Sequence, residues 1–236
     1  MSNTVPWPWN KDGVTSSMVL ADHLDRKRME EIDGALGVVD PKTWTLEALP
    51  QRPTLADFFR AKRFGKASLH GLRSAARARR SGADDEIVLA CLLHDVAFGL
   101  IRQDHGWWGA QLLEPYLSEK LSWAIRYHQA LRFYPDPSVG YEYPELYVKY
   151  FGEDFTPEPY IERAYEEARK HRWYMASRLI TVYDDYALDP SIQVPPVEEF
   201  EDVIGRHFKQ PIEGLGLDAS PTAHMWRTMI NPNRAL

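Results

Sequence analysis

The chain has a single cysteine, Cys91, so no disulfide can form within it, and that usage fits a reducing compartment. Nowhere do about 18 apolar residues run together, so no membrane span is expected. Met1 to Asn10 lacks the basic-then-apolar order of a secretory leader, and a cytoplasmic protein is the expectation. Basic residues are outnumbered. The 28 Lys and Arg against 34 Asp and Glu leave a net charge of -6, which argues against nucleic acid as a partner. There is no Gly-rich phosphate loop, no Ser-His-Asp order, no internal repeat and no low-complexity tract. Strict apolar–polar alternation is missing too, and with it the usual sign of a half-buried strand. The fold class that remains is all-α.

What is present is ample apolar material. Hydrophobic residues make up 44% of 236, enough for one large domain or a domain with an extension. Eight Trp and twelve Tyr suit either a large core or a lined pocket. Residues 1–14 carry prolines and tryptophans without period and read as a surface arm. Ser16 or Ser17 caps a helix to about Ile32, closed by Gly34 and Gly37. This gives an N-terminal extension, 1–53, before a helical domain, 54–208, and a patternless tail, 209–236.

Within the domain, Thr54 with Asp57 three residues on is a capping pattern. A helix from about Leu69 to Arg80 puts Leu69, Leu72 and Ala76 on one side. Asp84 or Asp85 caps the next helix, apolar on every side from Ile87 to Leu93, which should be central and buried. His105 to Leu113 is a short helix, and Ser118 caps another through Phe133, stopped by Pro135. The Pro/Tyr-rich stretch 134–158 reads as a long connection with little regular structure, of the kind that covers a site. Pro159 to about Tyr186 is the longest expected helix, and Val197 to Phe208 the last.

Chemistry-bearing residues fall on these elements in a telling order. His94 and Asp95 follow seven apolar residues, and burying an imidazole and a carboxylate there costs several kcal/mol unless something compensates. His128 shares a face with Leu121, Ala124, Ile125 and Leu131, so it points inward. Asp184 lies in the apolar run after Leu179 and Ile180. His70 sits off the Leu69/Leu72/Ala76 ridge, and His105 opens a helix. Four His and two Asp suit iron, manganese, zinc or similar ions, and exceed what one tetrahedral ion needs. They suit two ions with one bridging carboxylate, a role given to Asp95 because its neighbour His94 can hold one of the ions. Arg132, four residues after His128, projects to the same face and is a natural fork for a carboxylate or phosphate. His23, His171, His207 and His224 have no ordered partners and read as surface or packing residues.

Eight basic residues from Arg60 to Arg80 have no acidic residue among them. They form a solvated face or a positive field near His70. Trp107 and Trp108 wall a pocket or pack in the core, and Cys91 is a small buried hydrophobe.

His70 with Arg73 and Ala75, then Leu92-Leu93-His94-Asp95, resembles the HD-domain superfamily of metal-dependent enzymes over roughly residues 54–208. His105 in His-Gly-Trp-Trp-Gly-Ala and His128 in Tyr-His-Gln-Ala-Leu-Arg resemble its dinuclear subgroup, which includes phosphohydrolases and di-iron oxygenases. The gap from His128 to Asp184 is similar to that of oxygenases that cleave hydroxylated aminophosphonates. The resemblance implies an HD-type helical bundle with His70, His94, Asp95, His105, His128 and Asp184 as ligands of two metal ions, iron first and manganese next. Asp95 would be the bridge, and Asp184 rather than Asp185 the last ligand. Arg132 stands where a Lys binds the anionic end of the substrate, so Asp95 and Arg132 are the expected catalytic residues. The chain departs from the oxygenases in carrying Val96-Ala97-Phe98 after the His-Asp pair, and Arg60 and Arg63 where they have Tyr and Glu. It has no clear counterpart of their phosphonate-holding loop. The implied activity is an oxygenase for a small hydroxylated, anionic substrate; the alternatives are a phosphohydrolase of phosphate esters or nucleotides, and a non-catalytic metal-binding regulatory module.

Overall fold

Seven consecutive apolar residues with no polar face can be accommodated only inside a shell of other helices, and that is where they lie. The computed structural model describes residues 49–50, 53–184 and 193–209. Its regular structure there is helical: α1 (Leu55–Arg60), α2 (Lys66–Arg80), α3 (Asp85–Leu93), α4 (His105–Leu113), α5 (Glu119–Leu131), α6 (Glu145–Phe151), α7 (Pro159–Ala168), α8 (Tyr174–Tyr183) and α9 (Glu201–His207). Short 3-10 turns lie at Glu114–Tyr116, Pro137–Val139 and Val197–Phe200. No strand occurs among the described residues, so the fold is all-α. None of the described helices is long and apolar enough to cross a membrane. The expected helix before Gly34, the tail beyond Lys209, and His23, Asp185 and His224 lie outside the described residues.

Ile87 to Leu93 of α3 are all buried, Cys91 included. Helices α2, α5, α8 and α9 pack round α3, with α2 the most extensive neighbour. The approach of α2 is close because the facing side chains are small: Ala67, Ser68, Gly71, Ser74, Ala75 and Ala78. A Cβ on Gly71 would collide with the Leu92 carbonyl oxygen. The residue beside that glycine is His70, so the tightest point of the contact delivers His70 to the end of α3.

The ends of the helices follow local rules. Thr54 and Asp57 form the reciprocal capping box, with the Thr54 N–H donating to Asp57 Oδ2 at 2.8 Å and the Asp57 N–H to Thr54 Oγ1 at 3.3 Å. Ser118 caps α5 through the Leu121 N–H. Pro159 occupies the first turn of α7, where its missing N–H costs nothing. Just beyond the end of α2, Gly82 takes a φ of 75° that suits glycine best.

Four expectations need correction. Leu69 is 46% exposed while Leu72 is 6% exposed, because the inward stripe runs through Gly71 and Ala75 and is turned away from Leu69. The helix expected from Pro159 to Tyr186 is two helices, α7 and α8, broken at Arg169–Trp173. The His171 ring stacks on Trp123 at 4.2 Å and accepts the Trp173 N–H, fixing a corner that periodicity cannot show. The break lets α7 lie on the surface while α8 turns inward. The stretch 134–158 is also more ordered than expected. It contains α6, an Asp136–Tyr141 bridge, and the buried rings of Tyr141 and Tyr147. The basic run, finally, is in part a clasp. Arg60 pairs with Glu198 at 2.7 Å and Glu201 at 2.6 Å, and Arg79 with Asp202 at 2.8 Å, binding 193–209 to α1 and α2.

Two outcomes test this packing. Leu72→Ala costs about 2–5 kcal/mol of stability, while Leu69→Ala stays within about 0.5 kcal/mol, in urea unfolding. A common loss at both would contradict the orientation of α2. Hydrogen bonding from Arg79 holds Asp202 down at about 2, against an ordinary 3.8. The depressed carboxyl therefore contributes stability above pH 3.8, and the contribution is lost as pH falls toward 2. The pair is exposed, so the effect is small, and Asp202→Asn removes it from the acid unfolding curve.

Candidate metal centre

Five of the six predicted ligands come from helix ends, where a side chain can leave the helix surface and reach a common point. His94 is the C-terminal cap of α3 and Asp95 follows it; His105 is the first residue of α4; Asp184 caps the C-terminus of α8. His128 lies in the last turn of α5, and Arg132 caps that helix. His70 alone projects from mid-helix. The structure brings all six together. His94, Asp95, His105, His128 and Asp184 are buried, while the His70 side chain is 27% exposed, so the cluster opens toward solvent on the His70 side.

Three of the rings are anchored alike. Nδ1 of His94 donates to the Cys91 carbonyl at 2.8 Å, Nδ1 of His105 to Arg102 at 2.8 Å, and Nδ1 of His128 to Ile125 at 2.6 Å. A carbonyl can only accept, so Nδ1 carries a proton and each ring turns its Nε2 inward, free to ligate wherever the ring is neutral. These Nε2 atoms meet one another and the acids. His105 and His128 face each other with 3.3 Å between Nε2 atoms, and His70 and His94 with 3.2 Å. Asp184 Oδ1 lies 2.8 Å from His70 Nε2 and 3.2 Å from His94 Nε2. Asp95 stands between the sets. Its Oδ2 is 3.5 Å from His70 Nε2; its Oδ1 is 3.4 Å from His94, 2.8 Å from His105 and 3.6 Å from His128.

Such an arrangement leaves some hydrogen-bonding capacity unused and could hold a metal ion. Asp95 Oδ1 and Asp184 Oδ2 are buried without a hydrogen-bond donor, which costs about 1–3 kcal/mol each and more for a charged oxygen. Two ligands held about 2.1 Å from one cation stand about 3.0 Å apart at a right angle and about 3.4 Å at the tetrahedral angle. The observed separations, 2.8–3.6 Å, bracket that range. His70, His94 and Asp184 form one group able to hold a metal ion, and His94, Asp95 and His128 another. Imidazole nitrogen with carboxylate oxygen suits borderline ions such as iron, manganese and zinc.

The electrostatics ask for positive charge at the same place. Burial pushes Asp95 upward, but the charges of His94 and His105 outweigh it and hold the carboxyl well below its usual range. Asp184 is likewise lowered against burial, by Arg132 and then His94. Burial works to lower His94, yet the charges of Asp95 and Asp184 raise it to about 9. At His128 burial prevails and brings the ring down to about 4. Without a metal, the two acids draw a proton onto His94; a bound cation answers the same demand.

Arg132 Nε is 3.4 Å from Asp184 Oδ2, and its guanidinium lies 5.2 Å from the centre of the Tyr147 ring. Tyr147 was not among the predicted site residues. Burial pushes its phenol well up, and the α6 segment carries it in. The tyrosine-rich composition of 134–158 was the only available signal. Trp107 and Trp108 do not wall the centre; both are exposed and line an outer cleft. His171 and His207 lie outside the cluster, as read from the sequence. No protein-family model matches the chain, and no curated protein matches it.

The ring of His128 is held by close packing of α4 on α5. A Cβ on Gly106 would stand 2.8 Å from the Ile125 oxygen and 2.9 Å from the His128 ring. Gly106→Ala is expected to cost about 1–3 kcal/mol and to lower bound metal. Gly109→Ala, whose nearest neighbour would be at 3.6 Å, leaves metal content unchanged. Elemental analysis of both variants beside their melting curves checks this; equal metal in both would show that α4 packing does not set the ligand.

Proposed function

We propose that the chain is a dinuclear metalloenzyme of the HD-domain type, an oxygenase that oxidises a small hydroxylated, anionic substrate at a di-iron centre. The observation that carries the reading is the division of the ligands into two sets of two histidines and one carboxylate. His70, His94 and Asp184 make one; His128 and Asp95 make the other, with His105 2.8 Å from Asp95 as its second imidazole beside the shared His94 at 3.4 Å. Two histidines and a carboxylate with open positions are the ligand set of non-haem iron oxygenases. The order His70, His94-Asp95, His105, His128, Asp184 supports assignment to the dinuclear HD subgroup, and a reducing cytoplasmic setting suits ferrous iron.

In this reading iron held by these six residues would supply the redox chemistry that activates dioxygen toward the substrate. The chain does the rest. Asp95 holds the two halves of the centre at a fixed separation. The Nδ1 hydrogen bonds orient His94, His105 and His128, which removes the entropy of arranging them. Buried walls keep bulk water off the ligands. Arg132, steadied by Asp184 and Tyr147, binds the acidic group of a substrate arriving on the open His70 side. The same arginine could hold a phosphoryl group, which favours a metal-dependent phosphohydrolase as second reading.

The test begins with protein purified anaerobically with ferrous iron. Two equivalents of iron per chain are expected, falling below one in His94→Ala and Asp95→Ala. Small hydroxylated phosphonates and carboxylates are then supplied in an oxygen electrode. Oxygen uptake matched to product supports the oxygenase. Product without oxygen uptake gives the phosphohydrolase, and stoichiometric metal with no turnover on either panel gives a regulatory module. In the active enzyme, Arg132→Ala raises KM for the anionic substrate by about ten- to a hundredfold, as expected for a lost charge-assisted bond.

A further inference from the structure

Helices α4 and α5 supply His105 and His128 from their inner faces, and their outer faces, with α7, form a second concavity. It measures about 530 Å³, within the usual range for small-molecule sites, and the metal ligands do not line it. Its apolar wall is Trp107 and Trp108, with ring centres 4.8 Å apart and both rings open to solvent. A single exposed indole needs no explanation, but two that adjoin make a contiguous apolar patch of the kind that marks a binding surface. Arg126 and Arg163 also line the cleft. Among the described residues no acidic side chain pairs with either. The Arg126 guanidinium instead lies 5.7 Å from the centre of the Trp107 ring and 5.9 Å from that of Tyr127.

The cleft also contains two carboxylates, and each is oriented by a phenol. Tyr160 donates to Asp104 at 3.1 Å and Tyr127 to Glu167 at 2.5 Å. The parts are therefore two indoles set edge to face at 83°, two guanidinium forks with no acidic partner among the described residues, and two fixed carboxylates with accepting capacity to spare. A planar base stacks on indole; a phosphate takes two forks; vicinal hydroxyls donate to a carboxylate. We propose that this outer cleft binds a nucleoside monophosphate, its base on the more exposed Trp108, its phosphate on Arg126 and Arg163, and its ribose hydroxyls on Asp104 or Glu167.

The site stands apart from the metal centre and does not depend on the proposed reaction. It is nevertheless joined to that centre by the chain itself. Asp104 precedes His105, Gln129 follows His128, and the Gly106 N–H donates to Gln129 Oε1 at 3.4 Å.

Isothermal titration of the full chain with adenosine 5′-monophosphate tests the proposal, with adenosine and inorganic phosphate as separate probes. One equivalent of the nucleotide is expected to bind, more tightly than either fragment. The titration is repeated on metal-stripped protein and on His94→Ala, and binding should persist in both. Loss there would place the nucleotide at the metal centre and overturn the proposal. The double variant Arg126→Ala/Arg163→Ala should weaken binding at least about tenfold, the value of one charge-assisted bond. Trp108→Ala should weaken the nucleotide and adenosine but not phosphate. These side chains are exposed, and circular dichroism verifies that the variants keep their helices. Absence of binding at millimolar nucleotide, or binding equal to wild type in both variants, would refute the site.

Discussion

Two buried carboxylates must share a confined space with four imidazoles, and three of those imidazoles already donate their Nδ1–H to a backbone carbonyl. The rest of the structure is arranged around that demand. His94, His105 and His128 each bond to the carbonyl three residues earlier, a contact any helical turn offers and one that needs no further protein. The result is a set of Nε2 atoms turned toward one another and the acids, in groups that could hold a metal ion. Arg132 supplies part of the positive charge at the Asp184 side, and the raised affinity of His94 for a proton marks where more is required.

Holding such groups together calls for rigid support, and the support is the apolar helix α3. Its residues from Ile87 to Leu93 have no polar atom outside the backbone except the Cys91 thiol, so the first polar side chains after it emerge at the boundary of the core. Small residues then set the distances. Gly71 lets α2 come near enough to bring His70 against His94, and Gly106 leaves room for the His128 ring. The clasp of Arg60 and Arg79 on the acidic 198–202 stretch closes the other side of the core, away from the ligands. The same pair of helices, α4 and α5, presents ligands inward and an aromatic, arginine-bearing cleft outward.

Much of this was visible in the order of residues. The capping signals at Thr54 and Ser118 locate helix starts because a side chain two or three residues away satisfies the free N–H groups, an interaction local in sequence. The uniform apolar run of α3 announces burial for the same reason. His128 points inward on the evidence of its own helix face. Other features depended on partners far along the chain. Nothing near Leu69 shows that the stripe of α2 is set by Gly71 meeting Leu92. The break between α7 and α8 depends on the stacking of His171 on Trp123 from a different helix. The placement of Tyr147 beside Arg132 depends on how the 134–158 segment folds back.

The residues alone therefore determined that the chain is helical, where its core helix runs, and that His70, His94, Asp95, His105, His128 and Asp184 are the candidate ligands. Helix periodicity and the cost of burying charge operate within a few residues and can be read from a string of letters. Only the tertiary structure decided that those six side chains meet, that Asp95 stands between the two sets, and that Trp107 and Trp108 face away. Such facts are distances between helix ends, fixed by how closely α2, α4, α5 and α8 pack around α3. No local pattern encodes a separation between residues that are tens of positions apart.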